Sequence, residues 1–358
     1  MRLLLAGGGT GGHVNPLLAL AELLRSEDHE VIALGTREGL ESRLVPERGF
    51  ELLTIPRLPM PRRLSLSALG FPARLFMASR QVSKILRDRQ IDAVVGFGGY
   101  ASAPAYLAAW LSKKPLVIHE ANAIAGFANR LGARFTTKVA VAFPNSNLEP
   151  HVLTGMPIRP EIAVSVAGYD KQQARVELGL DPSLPTLLVT GGSQGAKSIN
   201  DAVIESLDTL KNAGVQVLHI VGDKAGLPDA KTPGYVRLAY CNRMDAAIAA
   251  SDLAISRAGA STVAEFSACG LPAVYVPYPV GNGEQRFNAL TVVEAGGGVL
   301  VADREFTPAY IAEKIVPMIS HRKTLEGMSK AARSVAIVDA TERLRDLTLS
   351  ALHTGSRD

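Results

Sequence analysis

"RLLLAGGGTGGH", Arg2–His13, and "TLLVTGGSQGAK", Thr186–Lys197, share one layout. Each is a short apolar run, then a glycine-rich turn, then the start of a helical stretch. The runs are uniformly apolar rather than alternating, which is how parallel strands covered on both faces read. The same layout continues outward from both stretches. Further strands are expected at Glu30–Leu34, Glu51–Ile55, Ala93–Phe97, Leu116–His119 and Val139–Phe143. A second series is expected at Gln216–Val221, Val236–Ala239, Leu253–Ser256, Ala273–Val276 and Gly298–Val301. Helical patterns separate them, among them Pro16–Arg25, Leu66–Arg87, Ala196–Lys211 and Glu284–Glu294. Strand–helix alternation that starts twice predicts two doubly wound, Rossmann-like α/β domains facing a cleft.

The chain has 358 residues, which suits two domains. The break is expected in "TGMPIRPEI", Thr154–Ile162, where two prolines oppose a continuous helix or central strand. That gives a first domain over 1–158 and a second over 163–338. A last helical segment, within 341–358, is expected to join the first domain. In open α/β sheets the ligand lies beyond the carboxyl ends of the strands, where both glycine turns fall.

Composition bounds the chemistry. Hydrophobic residues make up 47%, enough for large cores, and the net charge is +4. That mild basicity suits an anionic ligand or an anionic membrane surface and does not argue for nucleic acid. The two cysteines, Cys241 and Cys269, form no zinc spacing and no disulfide framework, which points to a reducing cytoplasm. No apolar run reaches the ~18–20 residues of a spanning helix, and the N-terminus does not read as a secretory signal.

Gly7-x-Gly9-x-x-Gly12 fits the dinucleotide pattern in letter. The next strand, however, runs into Gly35-Thr36-Arg37 with no carboxylate at its tip to hold a ribose. NAD is therefore disfavoured, while Arg37 leaves an NADP-dependent oxidoreductase as an alternative. A P-loop is absent, because Ala196 stands where its second glycine belongs. What remains is general. Glycines admit an anion to the backbone, and the following helix start offers free N–H groups. Three such places are expected: Gly7–Gly12, Gly191–Gly195 and Ser256–Glu265. In the last, Ser261 or Thr262 is the expected N-cap, with Glu265 in the first turn. No D-x-D occurs, so no metal or other cofactor is expected. A bound diphosphate would be met by backbone amides, helix dipoles and Arg159.

At this point larger motifs become specific. "GGGTGGHVNPLLALA", "GGYASAPAYLAAW", "HEANAIAGFANR", "TGGSQGAKSIN" and "RAGASTVAEFSACGLPAVYVPYP…EQRFNA" resemble, in order along nearly the whole chain, the MurG family. These are the N-acetylglucosaminyl transferases of peptidoglycan synthesis. The resemblance implies a glycosyltransferase B fold, with an acceptor and membrane-side first domain and a donor-binding second domain. It implies metal-independent, inverting transfer from UDP-N-acetylglucosamine to the C4 hydroxyl of undecaprenyl-pyrophosphoryl-N-acetylmuramoyl-pentapeptide, lipid I becoming lipid II. It implies a peripheral enzyme on the cytoplasmic side of the cell membrane, with other cell-wall synthesis proteins as candidate partners.

By the same resemblance Thr10, Gly11 and Gly12 belong to a loop that reaches the donor and faces the acceptor diphosphate. Asn122 matches a donor-sugar contact, Arg159 the arginine of G-N-P-[VI]-R, and Ser193 a phosphate contact. Ala260, Ser261, Thr262, Val263, Ala264 and Glu265 match the nucleotide loop, with Glu265 on the ribose. Gln285 matches the second glutamine of a Q-Q pair beside the sugar. Met156, Glu284 and Cys241 depart from the family's usual Asn, Gln and Ile, and the contact of Cys241 with uracil is expected through its backbone.

His13 follows the first loop and is the expected general base, since imidazole titrates near neutrality. The helix start is expected to lower its pKa. His119 and Glu120 are expected to order the loop that carries Asn122. Arg62, Arg63, Leu69, Phe71, Arg74, Leu75 and Trp110 mix basic and bulky apolar side chains, the composition of a surface laid on anionic lipid.

Overall fold

The structure is a computed structural model that describes residues 1–58, 70–165, 168–192, 194–280 and 282–354. Arg62, Arg63, Leu69 and Ser193 lie outside the described residues. The chain forms two compact units, Met1–Arg159 with Asp339–Asp358, and Pro160–Val338.

In unit 1 the strands are β1 (Arg2–Ala6), β2 (Glu30–Gly35), β3 (Glu51–Thr54), β4 (Ala93–Gly96), β5 (Leu116–Glu120), β6 (Val139–Val141) and β7 (Val152–Leu153). They form one parallel sheet in the order β3-β2-β1-β4-β5-β6-β7. Central strand β1 explains the uniform apolar runs. Leu3 and Leu5 enter one core with Leu17, Leu20 and Leu24 of α1 (Gly11–Ser26). Leu4 enters the other with Val82 and Leu86 of an amphipathic helix and Tyr106 of the next one. Among the described residues this unit also has α2 (Glu41–Glu47), α3 (Phe71–Asp88), α4 (Ser102–Leu111) and α5 (Phe127–Gly132). The last helix, Ala340–Thr354, packs on α1 through buried Leu344 and Ala351, and its Arg345 pairs with Glu27.

Unit 2 repeats the plan with β8 (Thr186–Thr190), β9 (Gln216–Ile220), β10 (Ala230–Thr232), β11 (Tyr235–Leu238), β12 (Leu253–Ser256), β13 (Ala273–Tyr275) and β14 (Gly298–Leu300). The order is β10-β11-β9-β8-β12-β13-β14, parallel except for the β10–β11 hairpin. Helices α6 (Lys197–Glu205), α7 (Leu207–Asn212), α8 (Met244–Ala250), α9 (Ala260–Cys269), α10 (Glu284–Glu294) and α11 (Arg322–Ser334) follow in chain order.

Several expected boundaries move. The first helix starts at Gly11, not Pro16. Pro16 is tolerated inside it at the loss of the bond to the Gly12 carbonyl. The expected Ala196–Lys211 helix divides at Ser206, whose hydroxyl bonds back to the Ala202 carbonyl. Pro160 opens a short helix, Pro160–Ser165, as its fixed φ allows at a first helical position. Strand β7 has only two residues, and β10, Ala-Lys-Thr, is polar and largely exposed, so neither leaves an apolar run in the sequence.

Each sheet reverses its strand order once beside its first strand, between β1 and β4 and between β8 and β12. Such switch points open a crevice at the strand carboxyl ends. The loops there are Gly7–Thr10 and Phe97–Ala101 in unit 1, and, in unit 2, the described residues Gly191, Gly192 and Gln194–Ala196 together with Arg257–Gly259.

Candidate active site

At the switch point of unit 1, His13 is the third residue of α1. Its Nδ1 lies 3.1 Å from the Gly8 carbonyl oxygen and 3.2 Å from Thr10 Oγ1. A carbonyl can only accept, so Nδ1 carries the proton of the neutral ring. Nε2 then holds the lone pair. A Cβ built on Gly98, where φ is +88°, would come within 3.1 Å of it. Glycine at 98 therefore serves both the left-handed backbone and the space beside Nε2. His13 lines a cavity of about 190 Å³ with Tyr100, Glu120, Asn122, Phe71 and Leu75. That is below the ~300–1,000 Å³ of a complete small-molecule site, so it suits one part of a ligand. The pKa of His13 is lowered, chiefly by burial, against the opposing pull of the Gly8 bond and of Glu41. Burial, rather than the helix start, is thus the main cause.

Behind the cavity, Glu120 is buried at the end of β5. Its carboxylate accepts from the backbone N–H of Asn122 (2.8 Å) and of Gly126 (3.0 Å), and from Asn129 Nδ2 (2.9 Å). The Asn129 side-chain oxygen in turn accepts from the Tyr106 hydroxyl at 2.6 Å. This network fixes the loop on which Asn122 stands. Burial raises the Glu120 pKa, and these same hydrogen bonds oppose the rise. His119 is buried too, with Nε2 3.1 Å from the Gly155 carbonyl oxygen, and burial pushes its pKa down to about 4. Met156 follows that turn and is buried.

In unit 2, α9 begins at Ala260 with Gly259 as its extended N-cap. Ser261 and Thr262 are therefore the second and third helical residues, and Glu265 is buried in the second turn, later than expected. Ser261 Oγ is buried without a hydrogen-bond partner among the described residues. The loop is held from below by Arg257, which donates to the Val276 carbonyl (3.1 Å), to Asp303 (2.5 Å) and to Ser198 Oγ (3.0 Å). Ser198 also donates to Asp303 at 2.7 Å, tying the start of α6 to the same point. Gln285, second in α10, accepts from the Tyr278 N–H at 2.9 Å, which leaves its amide NH2 as a donor. Cys241 is buried three residues after β11.

Comparison with known proteins bears on both crevices. Residues 3–141 match the glycosyltransferase family 28 N-terminal domain, and residues 186–344 match its C-terminal domain. The UDP-N-acetylglucosamine--N-acetylmuramyl-(pentapeptide) pyrophosphoryl-undecaprenol N-acetylglucosamine transferase of Clavibacter sepedonicus is 52% identical, over 98% of this chain and 96% of its own. The transferase of the same name from Streptomyces coelicolor is 47% identical over 100% of both chains. Among solved structures, Acinetobacter baumannii MurG superposes with a TM-score of 0.78 at 28% identity, covering 98% of this chain and 99% of that one.

The chain belongs to the MurG family.

Its fold is that of the glycosyltransferases with two Rossmann-like domains. The calicheamicin glycosyltransferase CalG4 shares it with a TM-score of 0.67 at 17% identity, over 99% of both chains. Of the residues that match MurG motifs, Thr10, Gly11, Gly12, His13 and Asn122 gather at the crevice of unit 1. Arg159 closes unit 1, one residue before the helix Pro160–Ser165. Ala260–Glu265, Cys241 and Gln285 belong to unit 2. Sequence reading did not single out Glu41, Asn129, Arg257 or Asp303. Each acts through a partner distant in the chain, and such pairing leaves no local pattern.

Proposed function

We propose that the chain transfers N-acetylglucosamine from UDP-N-acetylglucosamine to the C4 hydroxyl of undecaprenyl-pyrophosphoryl-N-acetylmuramoyl-pentapeptide, with inversion and without a metal ion. Full-length identity of 52% to a transferase named for that donor and acceptor supports donor and acceptor alike. The observation that carries the chemistry is the His13 ring. With Nδ1 bonded to the Gly8 carbonyl, Nε2 is free to accept a proton on the cavity side. In the reaction it takes the proton of the C4 hydroxyl as that oxygen attacks the anomeric carbon. The bond from that carbon to the UDP oxygen breaks on the opposite face, so one displacement inverts the centre. The leaving diphosphate gathers negative charge, which the N–H groups opening α9 and the loop before α6 are suited to meet.

The acceptor is lipid-linked, so the enzyme is read as peripheral on the cytoplasmic membrane face. No helix among the described residues is long and apolar enough to cross a membrane. Instead, the packed helices α3 and α4 expose Phe76, Met77, Trp110 and Leu111 beside Arg74, Arg80 and Lys113. Phe71 and Leu75 turn from that surface to line the His13 cavity, which links the lipid-facing surface to the acceptor site.

Transfer of labelled sugar from UDP-N-acetylglucosamine to a short-chain lipid I analogue, with EDTA present, tests the reading. Formation of the β-linked product is expected. UDP binding with no transfer would overturn the acceptor, and loss of transfer in EDTA would overturn metal independence.

A further inference from the structure

Glu41, the first residue of α2, is 1% exposed, and its carboxylate lies under the first glycine loop. Three glycines make room for it. A Cβ on Gly8, Gly35 or Gly39 would fall 2.2, 2.4 or 2.0 Å from atoms of its side chain. Oε1 accepts from the Thr36 N–H and hydroxyl, both at 2.8 Å. Oε2 accepts from the Gly9 N–H at 2.7 Å. That N–H belongs to the same peptide unit as the Gly8 carbonyl, and the Gly8 carbonyl accepts from His13 Nδ1 at 3.1 Å. A carboxylate, one peptide group and an imidazole thus stand in series.

We propose that Glu41 is a positioning residue for His13, acting through the Gly8–Gly9 peptide to hold the imidazole with its proton on Nδ1. The inference rests on His13 as the base. Both residues flanking this peptide plane are glycine, with φ +92° at Gly9, so its own torsions oppose rotation weakly, and besides Glu41 the close approach of Gly99 to the Gly8 carbonyl helps to hold it. Rotated by half a turn, it would present an N–H to Nδ1. The proton would then move to Nε2, and the ring could not take a proton from the acceptor. An ionised acceptor of the Gly9 N–H holds the plane against that turn, and hydrogen bonds in series polarise one another. The other polar groups facing His13 are Thr10, whose Oγ1 lies 3.2 Å from Nδ1 and which can accept the Nδ1 proton as the Gly8 carbonyl does, and Tyr100, Glu120, Asn122, His119 and Asn129; none of them bonds to the Gly8–Gly9 peptide. The Glu41 charge also opposes the fall of the His13 pKa.

The test is ¹⁵N NMR of the full chain labelled at histidine, with His13 assigned by its loss in His13→Gln. At neutral pH the wild-type ring is expected to show a protonated Nδ1 and a bare Nε2. In Glu41→Gln the amide must turn its NH2 towards either Gly9 or Thr36, so Nε2–H is expected to appear and the His13 pKa to fall. Transfer should drop about 10–100-fold in kcat with the donor KM retained, less than the ~10⁴-fold of a directly bonded carboxylate. Thr36→Val, which leaves the Gly9 bond in place, should keep the wild-type ring. A wild-type ring protonated on Nε2 would overturn the proposal, even where Glu41→Gln fails to fold. So would an unchanged ring in folded Glu41→Gln. A ring that responds as expected while His13→Ala loses less than tenfold would instead refute the base.

Discussion

Burial lowers the pKa of His13, His119 and His219, and the consequences differ by position. His13 must be neutral to act as a base, and its pKa is lowered. The acid limb of kcat/KM should therefore fall below the ordinary histidine value of about 6.5, with activity lost only as pH drops through that lowered pKa. His119 and His219, both buried, sit at about 4 in the folded state. The unfolded chain binds the extra protons, so the stability these rings contribute is complete above about 6.5 and is lost as pH falls towards 4. Linkage makes the His119 contribution about 3 kcal/mol at most. Urea unfolding at pH 7 and pH 5 should show the loss in both units, and His119→Gln should flatten the dependence in unit 1 alone. A dependence unchanged by that substitution would contradict the assignment.

At the scale of elements, the glycine turn after β8 is a close approach of backbone to backbone. Gly195 has φ +78°, and a Cβ there would lie 2.2 Å from the Val221 carbonyl oxygen. Gly214 has φ +72° with nothing nearby. Gly195→Ala should destabilise unit 2 by about 3 kcal/mol or more, and Gly214→Ala by about 1 kcal/mol. Equal losses in urea melts would deny the close approach. These turns also show how far sequence carries. Leu3, Leu4 and Leu5 announce β1 because alternate residues enter two different cores, so the whole run must be apolar. Helix starts are less legible. The helical pattern is read from Pro16, and Ser261 or Thr262 reads as an N-cap, yet glycine loops run directly into both helices. Glu41 was legible only in retrospect. The apparent lack of a ribose acid after β2 conceals a carboxylate that turns inward, and Gly8, Gly35 and Gly39 each lack a side chain on its account.

For the molecule as a whole, one α/β plan occurs twice, and in the proposed reaction unit 1 takes the acceptor and unit 2 the donor. The last helix joins the chain's end to unit 1, with Leu344 and Ala351 in its core. The proposed membrane contact belongs to this scale, since it draws on the exposed side chains of α3 and α4 together. Arg74→Glu with Trp110→Ala should weaken binding to anionic vesicles about tenfold or more, at roughly 1 kcal/mol for each basic residue near the surface. Transfer to a water-soluble acceptor should be unaffected. Undiminished vesicle binding would place the membrane surface elsewhere.

Transfer by His13→Ala tests the account most directly, measured beside the wild type with UDP-N-acetylglucosamine and the lipid I analogue. A general base contributes about 10²–10⁴-fold, so kcat should fall by at least 10² while the variant stays folded and binds UDP as before. A loss of less than tenfold would contradict the base and leave His13 as a residue that only shapes the loop.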